Sequence, residues 1–598
     1  MTVTRTFDLL KRYQENFIKE DVLAGKHNGE WIRYSTLQYI KNANNFSYGL
    51  LALGFKKGEK IATITNNRPE WNFVDLGMAQ VGIVHVPLFT TLDTRGFEYI
   101  LHHSEARIVI VSDKNLYTKI DPLIDKIEGL EDIYTFDHVE GAKNWSEIIE
   151  LGEKNAVHYK EEVEKIKNEI TPDDFATLIY TSGTTGDSKG VKLSHKNLVS
   201  NAIAAAKVFN LQPDQKYLSI LPICHVGERM GNYQTQYSGC SIYYAENLGT
   251  IAANMKEIKP HGFGSVPRIL EKVYDKIIAT GKKLTGLKKI MFFWAVNLGL
   301  KYKLNGGNGL WYKFQLRIAD KLIFSKWREA LGGNITSIGI GGAALQPRLE
   351  RVFWAAGIKL LNMYGLTETS PIITINRSAP PDIRLGTVGA VINDVEIKIA
   401  DDGEILCKGA NVMLGYYKDE EATKNAIDKD GWFHTGDIGI LEDGKFLKIT
   451  DRKKEIFKLS NGKYVAPQVI ENLFKESEYI EQLMVVGESE KFASALISPN
   501  FEALREWCAS NKIQPGKREE LIQHPEVTAH FQKVVNDFNK SLGKDEQIKR
   551  FKLVSDDWNP DSGELSPTLK LKRRVIYDKY ENVLTQIYGH DKSNLSVD

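Results

Sequence analysis

Short apolar runs rich in β-branched residues alternate along the chain with longer helix-like stretches. Residues 60–66 (KIATITN), 106–113 (ARIVIVSD) and 176–182 (ATLIYTS) have the length and composition of buried strands. Residues 198–209 (LVSNAIAAAKVF) have the composition of a helix. Because strands alternating with helices are typical of layered α/β structures, the pattern predicts an α/β fold with largely parallel sheets.

The pattern changes twice in the second half of the chain. From residue 389, the run GAVINDVEIKIADDGEILCKGANVMLGYY predicts short strands joined by Asp-Gly turns, and therefore a small β subdomain. The charged stretch 447–467 contains an Asn-Gly turn and is followed by further helices and strands. We therefore expect a domain boundary near Asp451, with an N-terminal domain at 1–451 and a C-terminal domain at 452–598.

Charge and cysteine content narrow the class of protein. The 78 Lys and Arg residues against 77 Asp and Glu leave a net charge of +1, which gives no global argument for a nucleic-acid partner. The four cysteines are scattered without a CxxC pair, which favours a reducing cytoplasm and disfavours a structural zinc site. The start of the chain lacks the apolar core of a signal peptide, and the longest apolar run, 290–296, is too short to cross a bilayer. We expect a soluble or membrane-surface protein.

One segment departs from this balance. Residues 281–330, here called the basic aromatic segment, hold eleven Lys and Arg residues against two acids, with nine Phe, Tyr and Trp residues between them. An ordinary pair of helices that buries its aromatic residues is one interpretation. Contact with an anionic lipid surface or an acidic ligand is another, and a stacked nucleic acid is the least favoured.

A glycine-rich stretch predicts a phosphate site. The ten residues after Tyr180, TSGTTGDSKG, contain five hydroxyl side chains, three glycines and a lysine. Backbone N–H groups, hydroxyls and an ammonium together suit phosphate, although a plain surface turn has the same composition. The spacing is not that of a Walker A loop, because the residue immediately before Lys189 is not glycine and the residues after Lys189 resemble a strand. We expect a hairpin that closes over a triphosphate.

Several motifs in order resemble the adenylate-forming (AMP-binding) superfamily over essentially the whole chain. They are YTSGTTGDSKGV (180–191), GGAAL (341–345), MYGLTETS (363–370), GWFHTGDIG (431–439), TDRKKEIFKLSNGKYVAP (450–467) and LSPTLKLKRR (565–574). LPICHVGERM (221–230) and VPRILEKVYDKI (266–277) resemble its long-chain fatty acyl-CoA synthetase branch in particular. The resemblance implies a large N-terminal domain of two α/β subdomains plus a small β subdomain, followed by a smaller, mobile α/β domain.

The resemblance also implies the reaction, that of an AMP-forming acid–thiol ligase. A fatty acid carboxylate attacks the α-phosphate of ATP and expels pyrophosphate, and coenzyme A then attacks the acyl-adenylate to give acyl-CoA and AMP. ATP, Mg²⁺, coenzyme A and a long-chain fatty acid are the expected cofactors and partners, with no nucleic acid. Alternatives are a fatty acyl-AMP ligase that transfers to a carrier protein and, in a different class, a noncatalytic lipid- or nucleotide-binding relative.

The nucleotide-binding residues are carried over from the matching motifs. Around the phosphates the resemblance places Thr181, Ser182, Gly183, Thr184, Thr185, Gly186 and Lys189. Thr184 and Glu368 are the expected Mg²⁺ ligands, although Glu368 taken alone resembles a helix N-terminal carboxylate. Adenine is expected to lie on Tyr364 beside Gly341, Gly342 and Ala343, with Gly365 and Thr367 from the same motif. Asp437 is expected to accept hydrogen bonds from the ribose, and Arg452 to hold the ribose-phosphate region.

The remaining expected catalytic residues are one lysine and one histidine. Lys570 aligns with the family's C-terminal lysine, which bridges the carboxylate and the α-phosphate, but the motif departs from the commoner SGK and leaves Lys572 as an alternative. His225 is expected at the junction of carboxylate and α-phosphate. Lys454 falls at the family's hinge, where rotation would replace Lys570 by the loop 460–463 for the thiol step. Cys224 is not expected to act, because the thiol belongs to coenzyme A.

Overall fold

Two large, mainly parallel sheets dominate the computed structural model, which describes residues 2–181, 188–247, 249–514, 516–560, 562–566 and 570–589. The first has nine strands, in the spatial order Ala390–Val391, Ile372–Ile375, Lys359–Gly365, Ser337–Ile340, Gly262–Ser265, Lys216–Ser219, Ser241–Tyr244, Leu23–His27 and Glu30–Tyr34. Its interior pairs are parallel, and antiparallel strands lie at both edges.

The second sheet has eight strands and carries the glycine-rich stretch. Their order is Gly415–Tyr416, Lys189–Ser194, Phe175–Thr181, Val84–Leu88, Lys60–Ile64, Ala106–Val111, Asp132–Thr135 and Lys143–Asn144. The strands predicted from 60–66, 106–113 and 176–182 are confirmed within two residues at each end. The predicted hairpin is also present, because Phe175–Thr181 and Lys189–Ser194 pair antiparallel.

The β subdomain predicted from residue 389 is a four-stranded antiparallel sheet. Its strands, in spatial order, are Val395–Ile399, Glu404–Gly409, Phe433–Glu442 and Phe446–Arg452. Two short strands of the same stretch lie elsewhere: Ala390–Val391 joins the nine-stranded sheet and Gly415–Tyr416 the eight-stranded sheet. The local turn pattern predicted the strands correctly but did not determine which sheet they join.

The C-terminal part of the chain has its own cores. Ile480–Val486, Ser494–Pro499 and Arg550–Leu553 form a three-stranded sheet, and Phe457–Lys458 pairs with Tyr464–Val465. Two hydrophobic clusters here contain only buried residues between 459 and 587. This separation favours a second domain, while the boundary near Asp451 stays a prediction.

Helices cover the sheets. In the N-terminal part they are Asp8–Asn16, Thr36–Ala52, Pro69–Gln80, Thr94–Ser104, Lys114–Ile120, Trp145–Glu169, His195–Phe209, Val226–Tyr237, Ile251–Ile258, Pro267–Lys282, Gly286–Leu300, Gly309–Ala319, Ser325–Ala330, Pro347–Ala355 and Glu420–Ala426. In the C-terminal part they are Pro467–Phe474, Phe501–Ser510, Arg518–Leu521, Pro525–Asn539, Arg573–Lys579 and Glu581–Tyr588. Local signals set several starts: Ser194, for example, forms a capping box with Asn197, which begins the predicted helix at His195.

A buried ionic cluster joins the helix Val226–Tyr237 to the eight-stranded sheet. Arg229, on the helix Val226–Tyr237, donates to Asp75 at 2.5 Å and to Thr177 at 2.6 Å. Tyr233 donates to the other oxygen of Asp75 at 2.5 Å. Thr177 belongs to the strand that leads into the glycine-rich stretch. The cluster therefore fixes this helix against the strand that approaches the predicted phosphate site.

The basic aromatic segment forms helices, as the first interpretation predicted. Seven of its nine aromatic side chains are buried or packed against the core; they are Phe292, Phe293, Trp294, Tyr302, Tyr312, Phe324 and Trp327. The other two, Trp311 and Phe314, are 70% and 52% exposed and stack with ring centroids 5.6 Å apart. Across the described ranges, no helix is long and apolar enough to cross a membrane.

Candidate active site

The candidate active site begins where two neighbouring parallel strands end. Ser337–Ile340 runs into Gly341, Gly342 and Ala343, and Lys359–Gly365 ends beside it. A Cβ atom on Gly365 would lie 1.7 Å from the carbonyl oxygen of Pro371, so only glycine fits there. Gly342 has a φ of +84°, which also favours glycine. These small residues let the backbone segments at the end of the sheet approach closely.

The hairpin predicted to hold phosphates lies at the edge of the other large sheet. Its two stem residues, Thr181 and Lys189, pair directly across the hairpin. The Thr181 hydroxyl contacts the Lys189 carbonyl at 3.5 Å. Five of the predicted phosphate-binding residues lie outside the described residues; they are Ser182, Gly183, Thr184, Thr185 and Gly186. The structure therefore supports the hairpin stem, and the contacts of its tip stay a prediction.

A tyrosine that sequence reasoning missed connects the hairpin to Glu368. The Lys189 ammonium lies 4.9 Å from the ring centroid of Tyr416. The Tyr416 hydroxyl donates to the Glu368 carboxylate at 3.0 Å. Glu368 lies in the short turn Thr367–Thr369 that follows the strand ending at Gly365. Lys189, Tyr416 and Glu368 thus form one polar group, although they are far apart in sequence.

The predicted adenine and ribose residues form a hydrogen-bonded trio. The Tyr364 hydroxyl donates to one oxygen of the Asp437 carboxylate at 2.7 Å, and Arg452 Nε donates to the other at 3.0 Å. Asp437 and Arg452 face each other across neighbouring strands. Burial and the Asp437 carboxylate raise the pKa of Tyr364, which stays a neutral donor. Each carboxylate oxygen keeps a second lone pair for a further donor.

Lys570 reaches into this cleft. Crowding by surrounding protein, together with the Arg452 guanidinium, lowers the pKa of Lys570, while Asp437, Glu455 and Glu368 act in the opposite direction. The side chain is nevertheless accessible to solvent. Its loop is closed by two hydrogen bonds to Ser566, at 2.8 Å and 3.1 Å. Of the two candidate lysines, Lys570 is therefore the one placed among the predicted nucleotide-binding residues.

His225 caps the helix Val226–Tyr237 and is neutral. Its Nδ1 accepts a hydrogen bond from the backbone N–H of Gly227 at 3.1 Å, so the ring proton lies on Nε2. Burial lowers its pKa to about 4, and the nearby Lys570 contributes in the same direction. His225 is therefore fixed as a neutral imidazole whose Nε2–H is a hydrogen-bond donor.

Two ionisable residues close to His225 in sequence, Cys224 and Glu228, differ from ordinary active-site groups. Burial raises the pKa of the Cys224 thiol to about 12, so no thiolate forms there at neutral pH, as expected for a residue without a nucleophilic role. Burial also raises the pKa of Glu228 to about 8, although hydrogen bonds from Ser219 and Tyr217 act to lower this pKa. One of the two carboxyl oxygens of Glu228 has no hydrogen-bond partner within the described ranges.

The replacement Glu228→Gln should make stability less sensitive to pH. The pKa of Glu228 is about 8 in the folded protein, whereas an ordinary glutamate, as in the unfolded chain, has a pKa of 4.5. Between these two values the folded state binds the proton more tightly, so rising pH favours unfolding. The slope for this one group is about 1.4 kcal/mol per pH unit. We expect the melting temperature of the variant to rise relative to wild type as pH increases from 5.5 to 8. The exposed control Glu98→Gln should retain the wild-type dependence, and equal behaviour of both variants would contradict a neutral Glu228.

Comparison with protein-family models gives two matches. Residues 12–417 match the AMP-binding enzyme model, and residues 454–592 match the AMP-binding enzyme C-terminal domain. The chain belongs to the AMP-binding enzyme family. The motif resemblance is thereby confirmed, and the curated relatives place this AMP-binding enzyme in the long-chain acyl-CoA synthetase branch.

Three relatives illustrate this placement of the AMP-binding enzyme. Long-chain-fatty-acid–CoA ligase FadD15 of Mycobacterium tuberculosis is 31% identical, over 94% of this chain and 94% of its own. The peroxisomal long chain acyl-CoA synthetase 6 of Arabidopsis thaliana is 31% identical, over 96% of this chain and 84% of its own. Long-chain-fatty-acid–CoA ligase 1 of Homo sapiens is 32% identical, over 94% and 82% respectively.

Solved structures share the fold of this AMP-binding enzyme. The anthranilate CoA ligase AuaEII, in complex with anthranoyl-AMP, superposes with a TM-score of 0.72 at 18% identity, covering 97% of this chain and 98% of its own. The adenylation domain of a carboxylate reductase from Mycobacterium chelonae superposes with a TM-score of 0.74 at 20% identity, covering 98% and 91%. The α/β fold with a large N-terminal and a smaller C-terminal domain is confirmed.

Proposed function

We propose that the protein is an ATP-dependent long-chain fatty acid–CoA ligase that forms AMP. The observation that carries the proposal is the convergence of Lys570, His225 and the Tyr364–Asp437–Arg452 trio in one cleft, although they come from five separate motifs. Curated relatives over most of the chain are named long-chain-fatty-acid–CoA ligases, which supports the same activity.

The chain's own groups suit the first step. A fatty acid is already ionised near neutral pH, so no general base is needed. The difficulty is repulsion between two anions, and catalysis depends on positioned cations and donors. In this proposal the nearby Lys570 ammonium neutralises charge, and the Nε2–H of His225 orients an oxygen. Lys570 is therefore the proposed adenylation lysine.

ATP is held by groups with matching chemistry in this proposal. Tyr364 presents a ring beside the small residues Gly341 and Gly342, and Asp437 offers free lone pairs for the ribose hydroxyls. The hairpin stem at Thr181 and Lys189 takes the phosphate end. In this proposal the acidic group, Asp437, binds the ribose, and the cations Lys189 and Lys570 bind phosphate groups.

Glu368 fits the expected Mg²⁺, since a carboxylate oxygen is a preferred ligand of this hard cation. Over the described ranges, no group of three or more His, Cys, Asp or Glu residues is arranged to hold a metal. Glu368 and Thr184 would hold the ion together with phosphate oxygens and water. When bound, Mg²⁺ neutralises phosphate charge.

The second step requires a different arrangement of the C-terminal domain. In the structure Lys570 lies near His225, where its charge contributes to lowering the pKa of that imidazole. We infer that the domain 452–598 rotates about Lys454 relative to the domain 1–451. This rotation withdraws Lys570 and brings the loop 460–463 toward the acyl-adenylate and coenzyme A, as in other domain-scale switches.

An assay of both products tests the proposal. Purified protein with ATP, Mg²⁺ and fatty acids of different chain length should release pyrophosphate and form acyl-CoA when coenzyme A is present. Pyrophosphate release without any acyl-CoA would favour the acyl-AMP ligase with a carrier protein. Neither product, with nucleotide still bound, would favour the noncatalytic relative.

We also propose that the basic aromatic segment contacts an anionic membrane surface, where long-chain fatty acids partition. Leu310, Trp311 and Phe314 are exposed on the helix Gly309–Ala319, and Lys313 and Arg317 flank them. Exposed apolar residues bordered by cations suit an anionic interface. A cytoplasmic protein with such a surface can collect its substrate there.

Reversing the two charges tests this contact. The double variant Lys313→Glu/Arg317→Glu should lose most sedimentation with vesicles that contain anionic lipid, because each cation near such a surface contributes about 1 kcal/mol. Trp311→Ala should weaken binding to neutral and anionic vesicles alike. Lys143→Glu, on the eight-stranded sheet away from this segment, is the control. Undiminished sedimentation of the charge-reversed variant would refute the contact.

A further inference from the structure

A charged interface outside the cleft joins the C-terminal part of the chain to the helix Pro267–Lys282. Arg268, in the first turn of this helix, pairs with Glu271 at 3.0 Å and with Glu481 across the interface. Lys282, its last residue, pairs with Glu478 at 2.5 Å. Positive charges on the helix thus face negative charges of the C-terminal part.

A buried amide bridges the same two parts. The Gln346 side chain is 4% exposed and donates to Glu271 at 3.1 Å and to the backbone carbonyl of Lys475 at 3.3 Å. Lys475, Glu478 and Glu481 follow the helix Pro467–Phe474 closely in sequence. The interface is therefore a continuous row of polar contacts rather than one isolated pair.

The two ion pairs differ in burial. The side chains of Arg268 and Glu481 are 17% and 30% exposed, whereas those of Lys282 and Glu478 are 44% and 46% exposed. Water and salt screen an exposed pair more strongly than a partly buried one. The Arg268–Glu481 pair is therefore the main electrostatic contact of this row.

We propose that Arg268 and Glu481 are positioning residues that hold the C-terminal domain in the orientation where Lys570 lies beside His225. The inference rests on the proposed function, because the domain must leave this orientation for the second step. Neither residue needs to touch substrate, since both act through the placement of Lys570. The pair therefore biases the balance between two domain orientations.

Half-reaction rates of charge-swap variants test the proposal. Arg268→Glu and Glu481→Arg should each lower ATP–pyrophosphate exchange about tenfold, because like charges then meet at the interface. Acyl transfer to coenzyme A from supplied acyl-adenylate should stay equal to wild type or increase. The double variant Arg268→Glu/Glu481→Arg should recover exchange to within about threefold, as expected for directly coupled residues.

Two controls separate this effect from general damage. Lys282→Glu, in the half-exposed pair, should lower exchange only about twofold. Lys272→Glu, an exposed cation on the same helix, should leave both half-reactions unchanged.

A distance measurement reports orientation without activity. All four cysteines of the chain are buried, so cysteines introduced at the exposed positions Val157 and Glu502 can be spin-labelled selectively. The wild type should give one main distance, and Arg268→Glu should add a second population. An unchanged distance distribution, or equal loss of both half-reactions without recovery in the double variant, would overturn the proposal. A wild type that forms no acyl-CoA would refute the proposed function instead, and the distance measurement would still test the pair.

Discussion

Replacing Lys570 by alanine should lower ATP–pyrophosphate exchange by about 10²- to 10³-fold, the usual loss when one charge-stabilising group is removed from an active site. The reason is that Lys570 places a cation beside His225 and the Asp437 region, where two anions must approach each other. Acyl-CoA formation from supplied acyl-adenylate should change little, because the proposed second step takes place with Lys570 withdrawn.

The neighbouring lysine provides the matched control. Lys572 has the same charge and lies two residues further on, at the start of the helix Arg573–Lys579. Lys572→Ala should retain exchange within about threefold of wild type, as is usual for a solvent-exposed charge. A larger loss for Lys572→Ala than for Lys570→Ala would reassign the adenylation lysine.

Replacing Lys454 by proline should have the opposite effect. Lys454 lies in the turn after the strand Phe446–Arg452, where the proposed rotation takes place. Proline fixes φ near −65° and restricts the residue before it, so the turn loses freedom to rotate. Acyl transfer to coenzyme A from supplied acyl-adenylate should fall at least about 100-fold, since misplaced reacting groups cost this much. Pyrophosphate exchange should stay within a few-fold of wild type.

Lys454→Ala is the control for side-chain loss, because it removes the ammonium and leaves φ unrestricted. Its acyl transfer should stay near that of wild type. If the alanine and proline variants lose acyl transfer equally, the side chain rather than the backbone is required. Equal loss of both half-reactions in the proline variant would contradict rotation at this turn.

Local sequence patterns predicted the elements that depend on neighbouring residues. The strands at 60–66 and 106–113, the hairpin stem at Thr181 and Lys189, and the antiparallel sheet after residue 389 all follow from runs or turns a few residues long. Motif order then supplied the family, which the family models confirmed. Such features need no knowledge of distant contacts.

Contacts between distant segments were not predictable in this way. Tyr416 was part of a run assigned to the β subdomain, but its two-residue strand pairs with Lys189–Ser194 and places the hydroxyl on Glu368. Arg229 and Asp75 are 154 residues apart, and each taken alone resembles an ordinary surface charge. Only the packing of their two helices in the folded protein shows that both are buried, and no local signal marks either residue.

The pairing of Asp437 with Arg452 gives the strand Phe446–Arg452 a second role. Arg452 contacts the proposed ribose-binding carboxylate at 3.0 Å, and Lys454 follows only two residues later. In the proposed cycle, a change in the bound nucleotide can therefore alter the position of Arg452, which lies next to the proposed hinge at Lys454. We therefore expect release of pyrophosphate and rotation of the C-terminal domain to be coupled through the single side chain of Arg452.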